Sequence, residues 1–186
     1  MGKDLNAKFR VTVITTGGTI DKVYDEVAGS LENKGTVMRE KIFAKLRLPY
    51  TSLEVYPIMS KDSLYMTDQD RKYISQTIAS FAAKTYPILV IHGTDTMTQT
   101  ARLCAKDQPN ISVPVIFTGA MKPQGYENTD ALQNVSEALL AARFLKPGFY
   151  ISFHNRIFEA RNSRKNKELM TFEAYDPSQE RGDPSS

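Results

Sequence analysis

The chain has 186 residues, 41% of them apolar and 24% charged, with a formal charge of +3 at pH 7, as expected of one ordinary globular domain. Its 24 Lys and Arg are scattered without a basic run, which argues against nucleic acid, and a single cysteine, Cys104, excludes an internal disulfide framework. No stretch approaches the roughly 20 apolar residues of a membrane span, and residues 1–6 lack the apolar core of a signal peptide, so a cytoplasmic protein is expected.

The first apolar run, Phe9 to Thr15, is β-branched and reads as a buried strand. A weak helix candidate follows at Val37 to Leu46, then a second strand at Ser52 to Met59. Thr67-Asp68-Gln69-Asp70 has the form of a capping box opening a helix with Ile74, Ile78 and Phe81 inward. A third strand spans Tyr86 to Ile91, a second weak helix candidate Met97 to Lys106, and a fourth strand Val113 to Phe117. Cys104 falls in that helix and reads as a packed small hydrophobe. After Asn128-Thr129-Asp130, Leu132, Val135, Leu139 and Leu140 form an apolar stripe, and Gly148 to Phe153 is the fifth strand. Continuous apolar strands alternating with helices predict an α/β fold. The expected architecture is a doubly wound, Rossmann- or flavodoxin-like, mainly parallel sheet with helices on both faces. One domain is expected over 8–175, with 1–7 and 176–186 as flexible tails.

Such sheets bind ligands beyond the carboxyl ends of their strands, and three of the runs end in glycine and hydroxyl residues. Thr15-Thr16-Gly17-Gly18-Thr19-Ile20 follows the first, His92-Gly93-Thr94-Asp95-Thr96-Met97 the third, and Thr118-Gly119-Ala120-Met121-Lys122-Pro123 the fourth. The first lacks the spacing of a dinucleotide fingerprint or a P-loop. Its glycines fit a tight turn with Thr19 as a cap, and they fit equally a backbone approach that presents the Thr19 hydroxyl. In the second, a carboxylate beside a hydroxyl can hold an ammonium group and orient a nucleophile, and Asp95 can cap a helix at the same time. His92 and His154 are the only imidazoles and lie far apart, so no metal or cofactor is expected.

These motifs resemble the two signatures of bacterial-type L-asparaginases and glutaminases. The likeness continues through Gly119-Ala120-Met121-Lys122-Pro123, Asp130 and Asn134 to Asn162-Ser163-Arg164-Lys165-Asn166. The resemblance implies that Thr19 attacks a side-chain amide to form an acyl-enzyme. It implies that Thr94, Asp95 and Lys165 form a second catalytic group, in which the amine draws the Thr94 proton. Asp95 would also receive the substrate's α-ammonium group, and a serine near the second strand, Ser60 or else Ser63, its α-carboxylate. Gly18, Lys61, Asp62, Gly93 and Ala120 complete the expected substrate-binding set. A threonine hydroxyl needs a positioned base, and a lysine acts as one where burial or nearby positive charge lowers its pKa; Arg164 is the neighbouring candidate for that charge, unless strand alternation or a turn points it away.

Two features depart from the long members of the family. Tyr24 lies five positions after Thr19, a register that resembles short-chain asparaginases and makes it the expected partner of the nucleophile. Lys61-Asp62-Ser63-Leu64 also resembles that group. Either the chain is a fragment or it belongs to the short-chain group, which has no C-terminal asparaginase domain; the second is expected, and Glu127, Glu159 and Glu173 stay open as substitutes for the acidic group that domain donates. The implied activity is hydrolysis of L-asparagine to L-aspartate and ammonia, weaker on glutamine, by a homo-oligomer, dimer or tetramer, with no nucleic-acid or membrane partner. The rivals are a catalytically weak or inactive asparagine/aspartate sensor and an amidotransferase subunit.

Overall fold

The computed structural model describes residues 7–18, 20, 42–123 and 126–176, together with the strand backbones of 22–25 and 30–33. Its central sheet has six strands, in the order β4 (Thr51–Pro57), β1 (Phe9–Thr15), β5 (Ile88–Ile91), β6 (Pro114–Thr118), β7 (Gly148–Phe153) and β8 (Arg156–Glu159). Only the edge strand β8 runs antiparallel to its neighbour. Two further hairpins, β2 (Lys22–Asp25) with β3 (Ser30–Asn33) and β9 (Ser163–Asn166) with β10 (Thr171–Ala174), stand outside this sheet. Chain order reverses between β1 and β5, so the crevice of a doubly wound sheet opens between their carboxyl ends.

Both faces of the sheet are covered, as its unbroken apolar strands require. Alternation divides the strands cleanly. Ile14, Ile88, Val90, Val115 and Phe117 pack under α1 (Asp68–Ala82) and α2 (Met97–Asp107). Val11, Val13, Leu89, Ile91 and Ile116 pack under α3 (Ala131–Ala141). α1 begins where the sequence signals it. Thr67 accepts from the Asp70 backbone N–H while the Asp70 carboxylate takes the Thr67 N–H, the reciprocal capping box. Its fully buried Ile74 and Ile78 each contribute about 1.5–3 kcal/mol by burial.

Three expectations shift. Phe43–Lys45 is a 3-10 turn where a helix over Val37 to Leu46 was read, and residues 34–41 lie outside the described set. Leu140 is 60% exposed, since small residues, Ala131, Ala138 and Ala141, bring α3 close to the sheet and fill its inner face with Val135, Leu139 and Asn134. The strand β8 and the hairpin β9–β10 follow the fifth expected strand, with Phe172 buried in the core beside Phe153, ring centroids 4.9 Å apart.

Candidate functional site

The strand-end loops meet at the crevice with almost no space between them. Thr16 donates both its N–H and its hydroxyl to the Ile91 carbonyl, each at 3.0 Å, and the Lys61 N–H closes on the Thr16 carbonyl at 3.0 Å. Gly17 and Gly18 have φ of +94° and +100°, and a Cβ on Gly18 would lie 2.5 Å from the Gly93 Cα. Only glycine supplies both the left-handed backbone and the clearance. The loops after β1 and β5 are therefore in backbone contact.

Above the end of β5, Lys165 reaches across from β9. Its Nζ donates to Thr94 Oγ1 at 2.8 Å and to Asp95 Oδ1 at 2.7 Å, and its side chain is only 13% exposed. Residues 70 positions apart in sequence are joined because the hairpin is anchored at several points. Phe172, directly opposite Lys165 in the ladder, is the apolar anchor. The Arg102 guanidinium on α2 donates to the Ser163 carbonyl. Arg164 faces the other side of the strand, where it meets Glu173 at 2.6 Å. Strand alternation thus turns it away from Lys165 and takes its positive charge off the amine.

His92 lies fully buried behind this cluster. Its Nδ1 is 2.8 Å from the Gly93 carbonyl, which can only accept, so Nδ1 carries the proton. Burial, aided by the positive charge of Arg71, pushes the imidazole down to about 4, so the ring is neutral at pH 7. The ring thereby holds the carbonyl of the peptide that leads into Thr94. On the neighbouring loop, Asp130 accepts from the backbone N–H groups of Met121 and Lys122, both at 3.0 Å. Buried Asn134 donates to the Gly119 carbonyl at 2.9 Å and to Asp130 at 2.8 Å. Asp130 and Asn134 stood out in the sequence only by resemblance; their physical work is to fix the Gly119–Lys122 loop around buried Ala120.

The remaining candidates divide. Thr19 lies outside the described residues, and Tyr24 falls in β2, opposite Leu31, as backbone only. Lys61 extends to Asp70 at 2.6 Å, and Asp62 caps a 3-10 turn through the Leu64 N–H at 3.0 Å. Ser63 is buried beneath Gly93, whereas Ser60 is exposed at the rim. Among the described residues no group of three or more His, Cys, Asp or Glu has a metal-holding arrangement, and no helix is long and apolar enough to cross a membrane. Sequence reasoning missed Arg102 as a support, because it acts on a main-chain carbonyl and carries no motif of its own.

Fold and site together define a doubly wound α/β domain with a hydroxyl–lysine–carboxylate cluster at its switch point. The family model described as "Asparaginase, N-terminal" matches residues 10–179, and the chain belongs to the asparaginase family. It is 31% identical over 165 residues to L-asparaginase 1 of Escherichia coli, a match covering 85% of this chain and 48% of that protein. The solved L-asparaginase of Thermococcus kodakarensis superposes with a TM-score of 0.77 at 25% identity, over 89% of this chain and 51% of that one. L-asparaginase I of Vibrio cholerae gives 0.78 at 25% identity, over 90% and 52%. The chain thus spans about half the length of these relatives.

Proposed function

We propose that this chain is an amidohydrolase that converts L-asparagine to L-aspartate and ammonia through a threonine ester. The observation that carries the reading is the Lys165 Nζ held at 2.8 Å from the Thr94 hydroxyl and 2.7 Å from the Asp95 carboxylate. Binding alone has little use for a lysine aimed at a hydroxyl. Proton transfer has need of one.

In this reading the Thr19 oxygen bonds to the side-chain amide carbon of asparagine. The carbon–nitrogen bond breaks, and nitrogen leaves as ammonia with the proton that Thr19 gives up. Water then cleaves the ester, releasing aspartate and returning a proton to Thr19. Tyr24 is the partner of Thr19. In the second step the Thr94 oxygen takes a proton from the attacking water as Lys165, the amine, takes the Thr94 proton. Asp95 holds the ammonium so formed, which passes its proton on as Thr19 is freed, and Asp95 also receives the substrate's α-ammonium group. Ser60, at the exposed rim, suits the α-carboxylate better than buried Ser63 does. The Thr94 N–H, in the peptide whose carbonyl His92 holds, is suited to the developing oxyanion.

Ammonia release from asparagine and from glutamine, measured side by side on wild type and Thr19→Ala, tests the reading. Release from asparagine should exceed that from glutamine and vanish in the variant. Equal rates for the two proteins would sink the nucleophile assignment.

A further inference from the structure

A side chain that no catalytic reading uses joins the hairpin carrying Lys165 to the Gly119–Lys122 loop. His154 follows β7 and holds a left-handed backbone, φ +46°. Its Nε2 is 3.0 Å from Asp130 Oδ2, and its Nδ1 is 2.9 Å from the Thr171 hydroxyl on β10. The Asp130 carboxylate can only accept, so Nε2 donates to it. Nδ1 pairs with the Thr171 hydroxyl, which can donate or accept, so every polar atom in the row is used. The His154 backbone N–H is also taken: it donates to the side-chain Oδ1 of Asn134 at 3.1 Å. One residue therefore contacts both the pair that fixes the Gly119–Lys122 loop and the strand paired with β9.

The geometry points to His154 as a positioning residue that, through Asp130 and Thr171, locks the β9–β10 hairpin in the register that sets the Lys165 Nζ on Thr94 and Asp95. The physical case rests on where the hairpin is fastened. Arg102 holds its Ser163 end, and Phe172 anchors its middle through an apolar contact that resists separation but not sliding. A directional bond is needed at the Thr171 end, beside the Lys167–Met170 turn, and His154 supplies it. Thr171 lies opposite Asn166, the residue next to Lys165, so a shift at Thr171 passes directly to the lysine. Misplacement of a reacting group by about an ångström costs on the order of 100-fold in rate.

This inference rests on the amidohydrolase reading for its kinetic test, so a second readout is independent of turnover. Thr171→Val removes the hydroxyl and keeps the shape and β propensity of the side chain. Thr171→Ser keeps the hydroxyl. His154→Asn retains a residue type that tolerates left-handed backbone while losing the ring. The expected result for Thr171→Val is a kcat lowered about 10- to 100-fold with KM and Tm little changed, and recovery in Thr171→Ser. His154→Asn should fall in the same direction. In 13C-lysine-labelled protein, the Lys165 Cε resonance, assigned by its loss in Lys165→Met, should move in Thr171→Val and stay put in Thr171→Ser. An unmoved resonance overturns the inference, as does a kcat loss that merely follows Tm or is not restored by serine. If wild type releases no ammonia from any amide, the amidohydrolase reading fails, and the resonance still decides whether His154 positions Lys165.

Discussion

Two lysine–aspartate pairs stand at the carboxyl edge of the sheet, one on each side of the same backbone seam. Lys61 meets Asp70 at 2.6 Å and Lys165 meets Asp95 at 2.7 Å, so distance alone does not separate them. Their surroundings do. Asp70 already closes the capping box of α1, and Lys61, with its side chain 36% exposed, adds a cation to a carboxylate that has a structural task. Lys165 is 13% exposed and donates both to Asp95 and to the Thr94 hydroxyl, in the turn that follows a buried strand. A salt bridge gains chemical meaning from its third partner: a helix start in one case, a proton-bearing oxygen in the other.

The largest test of this contrast exchanges the two lysines in turn. Lys165→Met should lower kcat by about 10²- to 10⁴-fold, the range for loss of a positioned acid–base group. Lys61→Met should leave kcat nearly unchanged and cost at most about 1 kcal/mol of stability, as partly exposed ion pairs do. Steady-state ammonia release and denaturant melts on both variants provide the check. Comparable kcat losses in the two would erase the distinction and make Lys61 part of the reacting site.

A smaller effect comes from the seam where the two regions meet. A Cβ on Gly93 would lie 2.5 Å from Ser63 Oγ and 2.7 Å from Ser63 Cβ. Gly93→Ala therefore forces the Lys61–Tyr65 segment away from the turn that presents Thr94, and overpacking of this kind costs about 1–3 kcal/mol. Ser63→Gly removes both clashing atoms, so the double variant should regain much of the lost Tm. A wild-type Tm in the single variant would show that the two regions are not pressed together.

How far all this was readable from sequence depends on whether the signal was local. Gly148–Phe153 is a strand with the expected bounds, and Thr67 to Asp70 forms the expected capping box, because period and cap chemistry lie within a few residues. The strand-end motifs marked the crevice, since a parallel sheet leaves one edge for ligands. The hairpin β9–β10 was not legible. Ser163-Arg164-Lys165-Asn166 has no apolar alternation, and its strand character comes from Phe172 across the hairpin, from His154 and from the distant Arg102, none of them within the segment itself. The opposed facing of Arg164 and Lys165 followed from that unseen strand. The Lys61–Asp70 pair was not legible either, because nothing local showed that the chain turns to bring Asp70 within reach.

The smallest effect separates the regions by pH. Bonds from Lys61 and from the Thr67 backbone lower the Asp70 carboxyl from the ordinary 3.8 to about 2. A depressed carboxyl pKa means that the unfolded chain binds the proton first. Its stabilisation is thus complete above about pH 4 and lost as pH falls toward 2. Burial lowers His92 from 6.5 to about 4 on the Thr94 side. By the same sign, its contribution is complete above 6.5 and fades as pH falls to about 4. The two sides should therefore weaken in succession on acidification, His92 first. Asp70→Asn should lower stability at pH 7 by about 1 kcal/mol, the scale of a lost cap, and flatten the stability profile only in the lower window. Denaturant melts across both windows provide the measurement. Flattening above pH 4 in Asp70→Asn would mean that the capping pair and the Thr94 side titrate as one unit, and the contrast between the two lysines would have to be redrawn.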